Sequence, residues 1–279
     1  MKYENPEIRE GINTSEEPPL KEFSILLIGA IVLVIVVSLT LSIGGSWLAG
    51  KIPYSAEAKI AALYDVSQHT DNKKYPELIK YLQQLADKIS KTQKLPEDMK
   101  ITIHYFDTET MNAFATLGGN VFMYRGLLKK LPNENTLVTL LGHEIAHVKY
   151  RHPIKSFGGG IAVAIAMTTI SSSADSQILG DTGLLSTLHF SREMESESDR
   201  EAMNTLHSMY GHLNGGAELF RIFNTARQEM DSDEPSEFFS THPQDDKRIE
   251  SFSTITKQNG WQESGALTPL PKFFKEALE

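Results

Sequence analysis

The stretch His143-Glu144-Ile145-Ala146-His147 decides how this chain is read. On a helix, positions four apart share a face, so the imidazoles of His143 and His147 converge on one point. Glu144 lies one step round from His143, within reach of a water held at that point. Two metal ligands and a general base at this spacing form the H-E-x-x-H signature of zinc hydrolases. The flanks support the helix. Pro132-Asn133-Glu134-Asn135 is a start signal, and Leu137, Val138, Leu140, Leu141, Ile145 and Val148 recur at helical spacing. Leu141 and Val148 bracket the run, which predicts a half-buried helix and not a solvated face. Pro153 disfavours helical geometry at His152, so the helix is expected to stop near there.

Composition narrows the chemistry. The 279 residues carry 36 Asp and Glu against 27 Lys and Arg, a formal net charge of -9 with no long basic run. That balance argues against nucleic acid as a partner. Cysteine is absent, so a metal must be held by nitrogen and oxygen, as in catalytic His/His/carboxylate sites.

Residues 23–44 read FSILLIGAIVLVIVVSLTLSIG, without a charge. At 1.5 Å per residue this stretch reaches about 33 Å, enough for a bilayer core. It is longer than the apolar core of a cleaved signal peptide and follows a leader richer in acid than in base, so a retained transmembrane anchor is expected. Residues 1–22, with Pro18-Pro19, read as a polar, disordered tail. Flanking Lys and Arg are nearly balanced across the span; a lone N-terminal anchor is expected to leave the tail in the cytoplasm. The long domain then lies in the periplasm of a bacterial envelope, attached to the inner membrane by a single pass.

Further along, residues 56–92 are mostly helical by pattern, and residues 100–106 alternate as a strand. Short strands over 113–116 and 121–124 flank Gly118-Gly119, and a hairpin is the simplest connection. A second apolar stretch, 157–170, is short for a span. If it alone crossed the membrane, carboxylates downstream could not reach the two histidines. It is therefore expected to be a helix that is buried or grazes the membrane beside the site.

Two histidines leave a zinc site incomplete. The run Ser191-Arg192-Glu193-Met194-Glu195-Ser196-Glu197-Ser198-Asp199 supplies candidates. On a helix Glu195 and Asp199 share a face, so one carboxylate can bind metal while the other accepts a hydrogen bond from a ligand histidine.

Taken together, LGHEIAHVKYRH, SREMESESD and STHPQDDKR resemble the gluzincin metallopeptidases of the HtpX, BepA, Oma and type I CAAX prenyl protease family. The match extends to Asn112-Ala113-Phe114-Ala115 and Gly118-Gly119, with Leu117 where that family usually has proline, and covers about residues 56 to 260. The resemblance implies that Glu195 is the third zinc ligand and Asp199 the carboxylate behind a ligand histidine, with Glu193 and Glu197 as neighbours. It also implies active-site roles for His242 and Arg248. His242 would either donate to the developing oxyanion or bind zinc in a closed resting state; the same residues also read as a helix start. His152 is expected to be structural, and His69, His104, His189, His207 and His212 surface or core.

The expected fold is α+β and predominantly helical: a zincin-like metallopeptidase domain over residues 51–279, with a small β-sheet beside the H-E-x-x-H helix, preceded by the transmembrane helix. The expected function is zinc-dependent endopeptidase. One Zn2+ per subunit, held by His143, His147 and Glu195, activates water, and Glu144 moves the proton. Val121, Phe122, Met123 and Tyr124 are expected to bind an extended protein or peptide substrate by strand addition, a sequence-tolerant mode suited to envelope protein quality control. The alternatives are a zinc-stabilised chaperone or adaptor that holds clients with little proteolysis, and a processing enzyme for lipidated peptides.

Overall fold

The computed structural model describes residues 19–62, 70–160, 188–229, 242 and 247–279. Helix α1 runs Pro19–Ala49, so residues 19–22, expected in the polar tail, form the first turn of the apolar helix instead. The stretch Leu20–Ala49 is long and apolar enough to cross a membrane, with none of its most apolar window buried. Then come α2 (Tyr54–Ala61) and α3 (Pro76–Thr92). Strands β1 (Thr102–Phe106), β2 (Ala113–Thr116) and β3 (Asn120–Tyr124) follow, with α4 (Arg125–Leu128) and α5 (Glu134–Lys149) after them. Residues 152–160 are helical and are labelled α6. The chain closes with α7 (Arg192–Tyr210), α8 (Gly216–Glu229), α9 (Lys247–Asn259) and α10 (Lys272–Glu276). Predominantly helical α+β is what the sequence predicted.

The centre of the domain is α5. Asn133 caps it by accepting from Thr136 N at 2.9 Å, which satisfies an N–H that the first turn leaves without a partner. Every residue from Asn135 to Val148 is buried, so the expectation of a half-buried helix is corrected. The reason is layering. The sheet, α3, α7 and α8 all pack on α5, and a helix covered on all sides must accommodate its polar residues through specific partners. Gln93 at the end of α3 is one such device, donating to the Gly142 carbonyl (2.8 Å) and to Thr205 on α7 (3.0 Å). Pro153 does not simply end α5; it falls at the start of α6, where a missing N–H costs nothing.

The sheet order is β1-β3-β2, with β1 parallel and β2 antiparallel to β3. Gly118 and Gly119 make the expected hairpin turn with φ of +74° and +78°. A Cβ on Gly119 would also collide with the Lys100 carbonyl oxygen, so only glycine fits. Because β3 is central, both its edges are already paired. Strand addition at Val121, Phe122, Met123 and Tyr124 therefore has no free backbone to use, and that expectation is corrected. The pairing explains which strand does. Tyr124 N donates to Asn112 O at 3.2 Å, so with Asn112 the alternate residues Phe114 and Thr116 turn their backbone groups to β3. Ala113 and Ala115 face the opposite edge, which no strand pairs among the described residues.

The end of α1 is part of the folded domain. Ala49 is buried with Ala61, Leu117 and Ile154 in a second apolar cluster, against which Ile52, Ile60 and Phe157 pack. Gly158 and Gly159 on α6 lie against Gly45, Ser46 and Ala49, so close that a Cβ on either would clash. Buried Glu57 ties this corner together: it accepts from Gly118 N at 3.1 Å and from Arg151 Nε at 2.6 Å, while Arg151 Nη2 reaches the Ile52 carbonyl at 3.0 Å. Residues 161–170 of the second apolar stretch lie outside the described residues.

Candidate metal centre

α5 supplies His143, Glu144 and His147, and α7 supplies Glu195 and Asp199. Ser191, four residues before Glu195, caps α7 by accepting from Met194 N at 3.3 Å. Its buried face, Glu195, Ser198, Ala202, Thr205 and Leu206, lies along α5. Glu193 and Glu197 are exposed and outside the donor cluster.

His143 Nε2 and His147 Nε2 lie 3.0 Å apart. Glu195 completes the triangle, its Oε2 3.5 Å from His143 Nε2 and its Oε1 3.4 Å from His147 Nε2. Donor atoms of His143, His147, Glu195 and His242 all fall within 4.8 Å of one another, and all four residues are buried. Nitrogen and oxygen donors placed about 2.0–2.1 Å from a tetrahedral zinc would stand roughly 3.3 Å apart, so the spacing fits that ion. Charge agrees. The carboxylates of Glu195 and Asp199 share one guanidinium, Arg248, leaving a negative charge beside the donors that favours a cation.

The surroundings orient each donor. His143 Nδ1 lies 2.9 Å from Asp199 Oδ1. Arg248 grips Asp199 with Nε and Nη2, both at 2.6 Å, and reaches Glu195 Oε2 with Nη1 at 2.8 Å. Asp199 and Glu195 take its side-chain hydrogen bonds and ion pairs. It therefore acts through them as a positioning residue, which refines the active-site role implied by the family resemblance. Burial alone would raise the Glu195 and Asp199 carboxyls. For Glu195 the charges of His242, His143 and Arg248 outweigh burial and hold it well below the usual range. For Asp199, Arg248 and the His143 hydrogen bond do the same.

Glu144 is different. It is fully buried, and neither of its carboxylate oxygens makes a well-formed hydrogen bond. Burial pushes its carboxyl up, against the charges of His242 and His143. His242 Nε2 stands 3.7 Å from Glu144 Oε1, and its Nδ1 lies 2.9 Å from Glu195 Oε1. Burial would lower His242, but Glu195 and Glu144 outweigh it and raise the imidazole. His147 is held well below its ordinary value by burial, which the hydrogen bond and charge of Glu195 only partly offset.

The structure thus brings together His143, Glu144, His147, Glu195, Asp199, His242 and Arg248, and it leaves Val121–Tyr124 in the middle of the sheet. His152, which closes the motif LGHEIAHVKYRH and was expected to be structural, also lies here. It is buried, with Nδ1 3.1 Å from His147 Nδ1 and Nε2 3.2 Å from Glu197 Oε2. A His five residues past a ligand on a helix that ends between them is the only signal, and it is weak. His104, His207 and His212 find other partners: Phe122 and Asn120, Trp261, and the Ala266 carbonyl. His69 lies outside the described residues.

Comparisons with known proteins agree with this centre. The mitochondrial metalloendopeptidase OMA1 of Schizosaccharomyces pombe is 32% identical over 157 residues, covering 54% of this chain and 45% of that protein. The beta-barrel assembly-enhancing protease of Escherichia coli is 29% identical over 170 residues, covering 54% of this chain and 34% of that protein. The OMA1 of Saccharomyces cerevisiae is 28% identical over 194 residues, covering 65% of this chain and 54% of that protein. The chain therefore spans about a third to a half of the length of these relatives. Peptidase family M48 matches over residues 76–256. That match takes in well over half of the chain, all three strands and every donor of the cluster, and the protein belongs to the M48 family of metalloendopeptidases.

Proposed function

We propose that this chain is a zinc endopeptidase anchored in a membrane by α1, which cuts misfolded or misassembled proteins of a bacterial envelope from the periplasmic side of the inner membrane. The observation that carries the reading is the pairing of a buried N/O donor cluster with Glu144, a carboxylate left without a well-formed hydrogen bond beside it. A zinc ion held by His143, His147 and Glu195 supplies Lewis-acid polarisation of a water and of the scissile carbonyl. Glu144 takes the proton from the attacking water and returns it to the leaving amine nitrogen. His242 Nε2 donates to the carbonyl oxygen as negative charge builds there. Asp199 and Arg248 hold His143 and Glu195 in place for this.

The substrate lies along the outer edge of β2. Ala113 and Ala115 offer backbone groups there, and the Ala115 amide lies close enough to Glu144 to lower its pKa. Backbone pairing at an edge binds many sequences in extended form, which suits unfolded clients. The large apolar side chains of α1 from Ile25 to Val37 are 40–73% exposed, which suits lipid contact. One feature supports a retained anchor over a removed leader: the last turn of α1 is built into the second apolar cluster, which a cleaved leader would take with it.

The test is metal content and proteolysis of the full chain in detergent, using an unfolded protein as substrate. Wild type is expected to carry zinc and cut; Glu144→Gln is expected to carry zinc and lose cutting by about 10²–10⁴-fold. Undiminished cutting by the variant removes Glu144 from the mechanism. A reporter fused after Glu279 fixes the side of the membrane.

A further inference from the structure

The two ligand histidines present Nε2 to one point and turn Nδ1 outward, but what meets each Nδ1 differs. For His143 it is a carboxylate, Asp199. For His147 it is another imidazole: His152 Nδ1 at 3.1 Å, whose Nε2 in turn reaches Glu197 Oε2 at 3.2 Å. We propose that Glu197 and His152 form a hydrogen-bond relay that fixes the tautomer of His147, making both of them positioning residues for the metal centre. The proposal rests on the zinc reading above.

Proton counting fixes the direction of the relay. Two imidazole nitrogens 3.1 Å apart need a single proton between them; two protons collide and two lone pairs repel. If that proton belonged to His152, His147 would carry its own on Nε2, pointing at His143 Nε2 and blocking coordination. His147 can offer an Nε2 lone pair only as the Nδ1–H tautomer, which makes His152 Nδ1 the acceptor. His152 must then carry its proton on Nε2, where the acceptor-only carboxylate of Glu197 awaits it. Every hydrogen in the relay points one way, from His147 through His152 to Glu197. Ser198 Oγ, 3.5 Å from His152 Nδ1, is at the limit of hydrogen bonding and too far to displace the His147 donor.

Packing enforces the alignment. Phe190 lies 4.0 Å from the His147 ring centroid, and the Tyr150 ring stacks on His152 at 5.7 Å. His152 is wholly buried, whereas the Glu197 side chain is 54% exposed. The relay therefore begins at a buried ligand and ends at the surface of α7. This also accounts for a carboxylate in the acidic run that binds no metal.

The test uses the full chain in detergent and measures zinc affinity by competition with a chelating dye. Alongside it, 15N spectra of histidine-labelled, zinc-loaded protein read which ring nitrogen bears hydrogen. His152→Phe keeps an aromatic ring but offers no acceptor, and is expected to weaken zinc binding about 10–100-fold. His152→Asn places an amide oxygen near the Nδ1 position and is expected to restore affinity to within a few-fold of wild type. Glu197→Ala, on an exposed side chain that cannot unfold the domain, is expected to weaken binding several-fold and to blur the His152 tautomer signal. The proposal is overturned if Glu197→Ala and a folded His152→Phe bind zinc as wild type does, or if His147 Nδ1 bears no hydrogen in the loaded protein. A wild-type chain that binds no zinc overturns the metal reading and this relay together. A wild type that binds while both variants bind equally well overturns the relay alone.

Discussion

The two histidines of the H-E-x-x-H helix sit one turn apart and are held by opposite means. His143 leans on a charged assembly in which Asp199 is clamped by Arg248, and Arg248 also holds Glu195. His147 leans on a neutral imidazole, His152, which is backed in turn by the half-exposed carboxylate of Glu197. The difference teaches how much each backing can afford to lose. A buried carboxylate needs its counter-charge, because an unpaired buried ion costs several kcal/mol. A neutral imidazole needs only an acceptor in the right place. The charged side should therefore be fragile in stability, and the neutral side only in metal binding.

The sharpest way to break this contrast is Arg248→Leu. It strands Asp199 and Glu195 as buried carboxylates and should destabilise the metal-free protein by about 3–5 kcal/mol, read from denaturant unfolding. A loss below about 1 kcal/mol would mean that the charged side is no more fragile than the neutral one. Asp199→Asn keeps an acceptor for His143 Nδ1 but removes the charge. Zinc affinity is expected to fall about 10–100-fold in a dye competition. If it holds, a neutral acceptor serves His143 as well as it serves His147, and the contrast is only geometric. Glu57→Gln acts at the corner where Arg151, next to His152, meets the β2–β3 turn. It should cost about 1–3 kcal/mol through weakened bonds to Arg151 and Gly118 N, seen in thermal unfolding, with zinc affinity less affected than in Asp199→Asn. Asn133→Ala removes the cap of α5, common to both histidines, and should cost about 1 kcal/mol with no preference for either side.

Much of this was legible in the residues, for identifiable reasons. His143, Glu144 and His147 sit within one helical turn, so spacing alone brings them together. The cap at Asn133, the strands over 102–106, 113–116 and 120–124, and the Gly118-Gly119 turn are likewise local features. Glu195 and Asp199 share a face by spacing, but only the family resemblance told ligand from support. What local patterns could not carry was non-local pairing. The sheet order β1-β3-β2 depends on a parallel crossover, and it moved the free edge from Val121–Tyr124 to β2. Arg248 received its active-site role from the family motif alone, because its distance from His242 in sequence says nothing of the carboxylates it faces. His152 lay beyond the helix end, where period arguments stop. The docking of α1 through Gly158 and Gly159 joins segments about a hundred residues apart and left no periodic trace.

The proposed chemistry requires one metal ion gripped by side chains from two helices, α5 and α7. Zinc titration of the purified full chain, wild type beside Glu195→Ala, tests it most directly. One zinc per chain in the wild type, with affinity reduced at least 100-fold in Glu195→Ala, is the predicted result. A wild type that takes up no zinc, or a variant that binds it as tightly, would contradict it.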